Sequence, residues 1–467
     1  MRATTHVRPA LFALLLAFAW LPAASAASTP ASGVPVVERA YLTPGFWVAR
    51  LHHPDRVLFE ASEIARRNAR MVRIDPSLHD LAALPSQLSR SQVLEWIDAL
   101  AKRPKAILFD VDGQAIQSAV LDRIIDNRDL EAVPQTQPTR YGLVVHRAAL
   151  RSFPTDLRVF SSIGDTDIDR FQESALFPGT PVVIAHRSRD RHWLFVVSPR
   201  YAAWVAEDAI AEGTRPQVLG YAAKVPYRIV TDATVRTVFT PEAPAVSQLQ
   251  LDMGMRVPLA STGAEVVNGQ NAYTSWTVEL PTRGNDGTLG FVPALILRSA
   301  GTAAAPLPLT RANVVRQAFK FLGERYGWGH DYGTRDCSGF VSEVYRSMGV
   351  LLPRNTGDQA RSPALDRLHF DGDGATAARI AALKHVQPGD LVYLPGHVML
   401  VIGRINGAPY VIHDIHDGKV RDRDGTLRSL HLNAVAVTPL MPLRFDDGTR
   451  FADRITDIVR LRPTGTP

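Results

Sequence analysis

"RDCSGFVSEVYRSMG", residues 335–349, contains the single cysteine of this 467-residue chain. Its apolar residues recur every three or four positions, which predicts an amphipathic helix. Asp336 is a favourable N-cap, and Gly349 is a typical stop signal. Cys337 is therefore predicted in the first turn, where the helix N-terminus lowers a thiol pKa, although the Asp336 carboxylate partly opposes this. The cysteine alone is equally consistent with a small buried apolar residue.

Two histidines follow in segments that alternate like strands. "VQPGDLVYLPGHVMLVIG" (386–403) predicts a strand, a turn and a second strand that begins at His397. "PYVIHDIHD" (409–417) predicts a third strand that carries His413. Neighbouring strands can hold the two imidazoles side by side, and a helix packed on that sheet could present Cys337 to the first of them. Nucleophile, base and orienting group are the arrangement that activates a cysteine.

The rest of the chain divides into blocks of different pattern. Residues 27–135 are predicted to be mainly helical, and residues 136–212 and 213–300 each to form a small all-β barrel from short strands separated by turns. Residues 301–467 open with a helical pattern and end in alternating strands, which predicts an α+β domain. The small-residue and proline stretch at 299–310 is interpreted as a linker.

The first 26 residues have the pattern of a secretion signal. Two arginines precede an apolar stretch at 11–24 that is too short to span a bilayer, and Ala24-Ser25-Ala26 offers a cleavage site. Cleavage would change the net charge from +6 to +4. We therefore expect a periplasmic or secreted protein, with no nucleic-acid partner and no stable membrane anchor. Its mild basicity suits work near anionic cell-wall material.

With Cys337, His397 and His413 in these motifs, the C-terminal block resembles the NlpC-type cysteine peptidases, papain-like bacterial enzymes that cut peptidoglycan stem peptides. The resemblance implies that Cys337 is the nucleophile, His397 the general base and then acid, and His413 the orienting residue. It implies that Tyr326 lines the site near the oxyanion, and that no metal or other cofactor is needed. The matching motifs are "YGWG" (326–329), "RDCSGF" (335–340), "LPRNT" (352–356), "PGDLVY" (388–393), "HVMLVIG" (397–403) and "VIH" (411–413).

The upstream blocks are similar to the paired bacterial SH3-like barrels of one multidomain subgroup. Members of that subgroup hydrolyse the bond from γ-D-glutamate to meso-diaminopimelate or L-lysine in stem peptides whose L-alanine amine is free. The residues that the resemblance implies in substrate binding are Asp336, Ser338, Arg354, Asn355, Glu173 and Tyr201. Asn355 stands where the family often has an aspartate. An amide accepts a hydrogen bond from an ammonium but supplies no charge, which weakens the expected selection for a free amine.

Other functions remain open at this point. "AILFDVDG" (106–113) has the aspartate-x-aspartate pattern of haloacid-dehalogenase-type phosphatases, with Asp110 as nucleophile and Asp112 as acid. The acidic motif "GDTDID" follows too soon, at 164–169, and no lysine lies between the two motifs. A metal site at His413 and His416 is disfavoured because residues three apart on a strand point to opposite faces.

Two readings accept the papain-like fold and differ in chemistry. The first is a peptidoglycan-binding protein with an inactive peptidase domain, which the presence of Cys337, His397 and His413 argues against. The second is an amidase or acyltransferase, because the same three residues serve any acyl transfer.

Overall fold

The computed structural model describes residues 34, 36–261, 263–422 and 424–463. The predicted signal at 1–26 lies outside these residues. The N-terminal elements are short and mostly helical: α1 (Pro44–Val48), β1 (Val57–Phe59), α2 (Ala61–Ile74), β2 (Gln87–Ser89), α3 (Arg90–Leu100), α4 (Ser118–Asp126) and β3 (Thr136–Pro138).

The N-terminal elements pack on two different parts of the molecule. Helices α1 and α2 lie against the C-terminal domain, where Trp47 is buried on Gly403 so closely that a Cβ there would stand 2.7 Å from the ring. Asn68 Nδ2 donates to the Gly349 carbonyl at 2.8 Å. Helix α3 instead places Val93 and Ile97 against the first β-barrel. The N-terminal region therefore contacts both the C-terminal domain and the first barrel.

The first barrel is a seven-stranded antiparallel sheet in the order β10-β4-β7-β8-β9-β5-β6. All five residues of its strand β8 are buried, because α3 covers the face that does not point into the barrel. Its strands are β4 (Arg140–Val144), β5 (Ala148–Arg151), β6 (Gln172–Leu176), β7 (Pro181–Arg187), β8 (Trp193–Val197), β9 (Ala202–Ala206) and β10 (Ile210–Gly213).

The second β-rich block follows α5 (Arg215–Tyr221) and is dominated by a long antiparallel hairpin, β17 with β18. Its strands are β11 (Tyr227–Val230), β12 (Thr234–Arg236), β13 (Gln250–Asp252), β14 (Arg256–Pro258), β15 (Val266–Val267), β16 (Gln270–Asn271), β17 (Ser275–Arg283), β18 (Leu289–Leu297) and β19 (Thr302–Ala303). The stretch interpreted as a linker is ordered: β19 pairs with β11, and β20 (Leu309–Thr310) pairs with β1. Because both ends of residues 299–310 are paired to other strands, this segment is not the flexible linker that its composition suggested.

The C-terminal domain is a six-stranded antiparallel sheet in the order β21-β28-β22-β23-β24-β27, covered by helices. Its strands are β21 (Asp366–His369), β22 (Leu391–Leu394), β23 (His397–Ile405), β24 (Ala408–Ile415), β27 (Ala434–Pro439) and β28 (Asp457–Arg460), with the small hairpin β25 (Lys419–Arg421) and β26 (Leu427–Ser429). Its helices are α6 (Arg311–Phe319), α7 (Cys337–Arg346), α8 (Thr356–Arg361) and α9 (Thr376–Leu383).

Helix α7 confirms the prediction made from its sequence. Asp336 caps it by accepting from the Gly339 N–H at 2.8 Å, and Gly349 ends the turn with a left-handed φ of +79°. Its apolar face, including Phe340 and Val344, packs on the sheet residues Leu400 and Ile412. Burying each such side chain contributes about 1.5–3 kcal/mol. This packing fixes the start of α7 over β23 and β24.

The multidomain fold class expected from the sequence is confirmed. Within the described part of the chain, no helix combines the length and the apolar character that crossing a lipid bilayer requires.

Candidate active site

Cys337 lies in the first turn of α7 and is only 4% exposed. Its Sγ is 3.8 Å from Thr356 Oγ1 and 3.9 Å from the Gly396 carbonyl oxygen. The backbone N–H of Val398 also donates to the sulfur. Because Gly396 and Val398 flank His397, folding brings the thiol against the strand segment that carries the predicted base.

The expected lowering of the Cys337 pKa is wrong. Burial raises the pKa of the Cys337 thiol to about 12, and the Asp336 carboxylate raises it further, while contacts with Thr356 and Val398 lower it. Desolvation of a thiolate in this closed site therefore outweighs the partial charge of the helix N-terminus. The resting group is a thiol, so its proton has to be taken by a base as the sulfur attacks.

His397 and His413 meet on adjacent strands, as predicted. Strands β23 and β24 pair in register through Leu400 with Ile412, and His397 Nε2 lies 2.8 Å from His413 Nδ1. Burial lowers the pKa of His397 to about 4 and that of His413 well below its usual range, so both rings are neutral at neutral pH. When His397 donates through Nε2, its Nδ1 is left as an acceptor. His413 Nε2 then donates to Thr438 Oγ1 at 2.9 Å.

Tyr326 and Asp414 are two further buried acids near the sulfur. Burial and then the charge of Cys337 raise the pKa of the Tyr326 phenol well above its usual range. Asp414 is fully buried, and neither of its carboxylate oxygens has a hydrogen-bond partner among the described residues. Burial, followed by the charge of Asp336, raises the pKa of Asp414 well above its usual range. Burial therefore favours the protonated form of Asp414.

Arg354 hydrogen-bonds the side chains of Asp336 and Ser338, which flank the cysteine. The Arg354 guanidinium donates to Asp336 Oδ2 at 2.7 Å and to Ser338 Oγ at 2.8 Å. It also donates to Ser174 Oγ of the first barrel at 2.6 Å and to His330 Nδ1 at 3.0 Å. Burial would raise the pKa of Asp336, but Arg354 holds it down to about 2. With a second contact to Asp336 Oδ1 at 3.3 Å, all five N–H donors of Arg354 are engaged inside the protein.

Residues of the first barrel complete this side of the site. The Tyr201 hydroxyl donates to Glu173 Oε2 at 2.6 Å, and the Ser152 hydroxyl donates to Glu173 Oε1. The Asn355 side chain hydrogen-bonds the Tyr201 phenol, which lowers the pKa of Tyr201 against the larger raising effect of burial. Burial also raises the pKa of Glu173. Glu173, Tyr201 and Asn355 are thus in one contact group across the domain boundary.

The rival phosphatase motif forms a turn without the partners it would need. Asp110 Oδ1 accepts from the backbone N–H groups of Asp112 and Gln114, which closes a tight loop. In the later acidic motif, Asp167 bonds Asn433, and Asp169 bonds Arg151 of the same barrel. The carboxylates of Asp110, Asp167 and Asp169 therefore bind three different sets of partners.

The two histidines of "HDIHD" have different neighbours. His413 bonds His397, whereas His416 Nε2 lies 3.4 Å from Asp167 Oδ2. Over the residues that the structure describes, no group of three or more His, Cys, Asp and Glu side chains is arranged to hold a metal ion.

A separate cavity of about 790 Å³ lies between α4 and loops of the first barrel. Its lining includes Arg123, Asp156 and His192 and none of the sequence-predicted site residues.

Four residues of the site were not identified from the sequence. Thr356 stood inside the quoted "LPRNT" without a role, and Asp414 directly follows His413, so strand alternation could have placed it on the α7 side. His330 and Thr438 gave no local signal, because their partners lie elsewhere in the chain.

Comparison with protein-family models matches residues 323–431 to the NlpC/P60 family and residues 158–206 to an SH3 domain of the SH3b1 type. Both matches fall inside the predicted peptidase domain and the predicted first barrel. The boundaries of the blocks themselves stay predictions.

Curated relatives and a solved structure agree with these matches. The chain is 26% identical over 244 residues to a γ-D-glutamyl-L-lysine dipeptidyl-peptidase of Bacillus cereus, which covers 49% of this chain and 61% of the relative. It is 32% identical over 96 residues to the "Probable endopeptidase p60" of Listeria seeligeri, covering 19% of this chain and 16% of the relative. It thus spans less than two thirds of either relative.

The fold itself is shared with a solved NlpC/P60 endopeptidase from Photobacterium damselae subsp. piscicida. The TM-score is 0.71 at 16% identity, over 88% of this chain and 96% of the other.

Proposed function

We propose a function from the premise that this chain carries an NlpC/P60 domain behind an SH3b1-type domain. The protein is an exported cysteine endopeptidase that hydrolyses the bond from γ-D-glutamate to a diamino acid, meso-diaminopimelate or L-lysine, in peptidoglycan stem peptides. The observation that carries this proposal is the contact of Cys337 Sγ with the segment around His397, whose Nε2 is 2.8 Å from His413 Nδ1.

The proposed reaction is acyl transfer in two steps. As the Cys337 sulfur bonds to the γ-carboxamide carbon, the thiol proton passes to Nδ1 of neutral His397. The C–N bond then breaks, and His397 returns that proton to the departing α-amine of the diamino acid. Water, deprotonated by His397, attacks the thioester and releases the D-glutamyl γ-carboxylate and the free thiol. His413 orients the His397 ring throughout.

Two neutral hydrogen-bond donors near the sulfur stabilise the negative charge that develops on the substrate's carbonyl oxygen. The backbone N–H of Cys337 lies at the N-terminus of α7, and we assign it as an oxyanion donor together with the nearby Tyr326 hydroxyl. Burial raises the pKa of Asp414 and so disfavours a second negative charge beside this oxygen.

The barrel side supplies the proposed binding site for a free L-alanine amine. Glu173 accepts hydrogen bonds from Tyr201 and Ser152, and Asn355 lies against Tyr201. An ammonium placed there meets the Glu173 carboxylate and a neutral amide. The name of the Bacillus cereus relative, a γ-D-glutamyl-L-lysine dipeptidyl-peptidase, supports the choice of bond.

The test compares variants on L-Ala-γ-D-Glu-meso-diaminopimelate and its L-lysine analogue, with products identified by mass spectrometry. Cys337→Ala and His397→Ala should each lower kcat/KM by at least about a thousandfold and together little more, since they act as one unit. His385→Ala, at an exposed histidine of the same domain, is the matched control. Wild-type turnover by Cys337→Ala, or cleavage at a different bond, would overturn the proposal.

A further inference from the structure

His330 is a buried imidazole that the proposed reaction does not use. It is 2% exposed and has a left-handed backbone, with a φ of +64°. Its ring lies directly on the first turn of α7, because a Cβ built at Gly339 would stand 2.4 Å from His330 Cε1. A non-glycine residue in this conformation is strained, so the fold holds this side chain in place at a cost.

Both ring nitrogens of His330 have charged partners. Arg354 donates to Nδ1 at 3.0 Å, and Nε2 lies 3.3 Å from Glu343 Oε1. Because a guanidinium only donates and a carboxylate only accepts, Nδ1 carries the lone pair and Nε2 carries the proton. Burial and the Arg354 charge lower the pKa of His330 to about 4, which agrees with this neutral tautomer.

The contacts continue on both sides of His330. Glu343 accepts from Arg335 at 2.8 Å, and Arg335 reaches Asp252 of the second β-block at 2.6 Å. On the other side, Arg354 bonds Asp336, the residue before the nucleophile. A continuous line of hydrogen bonds therefore joins the second β-block to the start of α7.

The position of the Arg354 guanidinium affects how easily Cys337 forms a thiolate. The Asp336 carboxylate raises the pKa of the Cys337 thiol after the larger effect of burial. Against burial, the same carboxylate raises the pKa of Arg354, and the charge of Cys337 adds a smaller effect in the same direction. The guanidinium is thus within electrostatic reach of the thiolate and also offsets the carboxylate beside it. If Arg354 moved away, the negative charge of Asp336 would oppose thiolate formation without compensation.

We propose that His330 is a positioning residue for the nucleophile: by accepting from Arg354 and donating to Glu343, it keeps the guanidinium against Asp336 beside Cys337. This inference rests on the proposed function in taking Cys337 as the nucleophile. It does not depend on which peptide is cleaved.

The experiment measures alkylation of Cys337 by iodoacetamide as a function of pH in the full chain, whose single cysteine makes the signal unambiguous. His330→Asn and His330→Gly both tolerate a left-handed backbone, but only asparagine offers an acceptor to Arg354. His53, exposed and with a φ of +49°, provides the matched controls His53→Asn and His53→Gly.

His330→Asn should react within about threefold of the wild-type rate, because the Arg354 contact is kept. His330→Gly should react about tenfold or more slowly, the loss expected when a hydrogen bond to a charged group is removed. Across the pH range in which both variants are folded, its alkylation rate should stay below that of His330→Asn, because the thiol pKa of about 12 rises further when Arg354 no longer offsets the Asp336 charge. Thermal unfolding of each variant is measured first, and alkylation is then carried out at a temperature at which every variant is folded.

The inference is overturned if His330→Gly has the wild-type profile, or if His330→Asn loses as much as His330→Gly. If His330→Gly does not fold, His330→Gln takes its place, since its longer amide reaches Glu343 but not Arg354, and the same slow reaction is expected. Failure of the wild-type protein to cleave the stem tripeptide would refute the proposed function alone, because alkylation still decides the role of His330.

Discussion

Replacing Glu173 by glutamine tests how the site would recognise a free amine. The two hydrogen bonds that reach the Glu173 carboxylate come from the hydroxyls of Ser152 and Tyr201. The neighbouring Asn355 is neutral, and the charge of Asp336 is taken up by Arg354. A substrate ammonium would therefore find its negative charge at Glu173.

Glu173→Gln keeps the shape of the side chain and one acceptor oxygen but removes the charge. A hydrogen bond to a charged group contributes about 1.5–3 kcal/mol, against about 0.5–1.5 kcal/mol between neutral groups. The loss is therefore about 1–2 kcal/mol, which corresponds to a fall of about 5- to 30-fold in kcat/KM. Burial raises the pKa of Glu173, while the hydrogen bonds from Ser152 and Tyr201 lower it, and an ammonium bound there would lower it further.

The assay compares kcat/KM for L-Ala-γ-D-Glu-L-Lys and for the same tripeptide acetylated at its alanine amine. Glu173→Gln should lower only the first value, so the preference for a free amine shrinks by the same factor. Glu212→Gln, on the same barrel and paired with Arg140 at its partly exposed rim, should change neither value. An equal loss on both tripeptides would mean that Glu173 supports the fold and not the amine, and an unchanged ratio would refute the charge argument.

Three other predictions concern charge in the same domain. Asn355→Asp should raise kcat/KM for the free-amine tripeptide by less than about 10-fold and leave the acetylated one unchanged, because the added carboxylate faces the same amine but loses the 3.0 Å hydrogen bond from Asn355 Nδ2 to Asp358 Oδ2 and is opposed by that carboxylate. The pH dependence of kcat/KM should show an acid limb near pH 4, because His397 with its lowered pKa accepts a proton from the thiol only while it is neutral; a midpoint at 6.5 would contradict the burial argument. Arg335→Met should lower the free energy of unfolding in urea by about 3–5 kcal/mol, since it strands the buried carboxylates of Asp252 and Glu343; a loss below about 1 kcal/mol would show that these groups relax into water.

The local patterns of the C-terminal block predicted its elements well. Apolar spacing located α7, and alternation located β22, β23 and β24 with both histidines on adjacent strands. These features depend on neighbours along the chain, so a single sequence carries the signal. The direction of the Cys337 pKa did not follow, because it depends on how completely the folded chain excludes water from the sulfur.

Contacts between segments that are distant in the sequence could not be predicted, because they exist only in the folded chain. Arg335 pairs with Asp252, which is 83 residues away, and Thr438 meets His413 from a strand that had no motif. The composition of 299–310 suggested a flexible linker, yet backbone pairing with β1 and β11 orders it. Backbone hydrogen bonding between strands cannot be predicted from the side-chain composition of one segment.

The placement of the N-terminal elements constrains how the chain can fold. Among the residues that the structure describes, strand β1 pairs with β20 alone, and Asn68 bonds Gly349 across 281 residues. These early elements remain without their partners until about two thirds of the polypeptide is available for β1 and about three quarters for Asn68, a high contact order that slows assembly. A peptidase domain cut free at residue 301 would lose the Trp47 cover over Gly403 and leave apolar surface open to self-association.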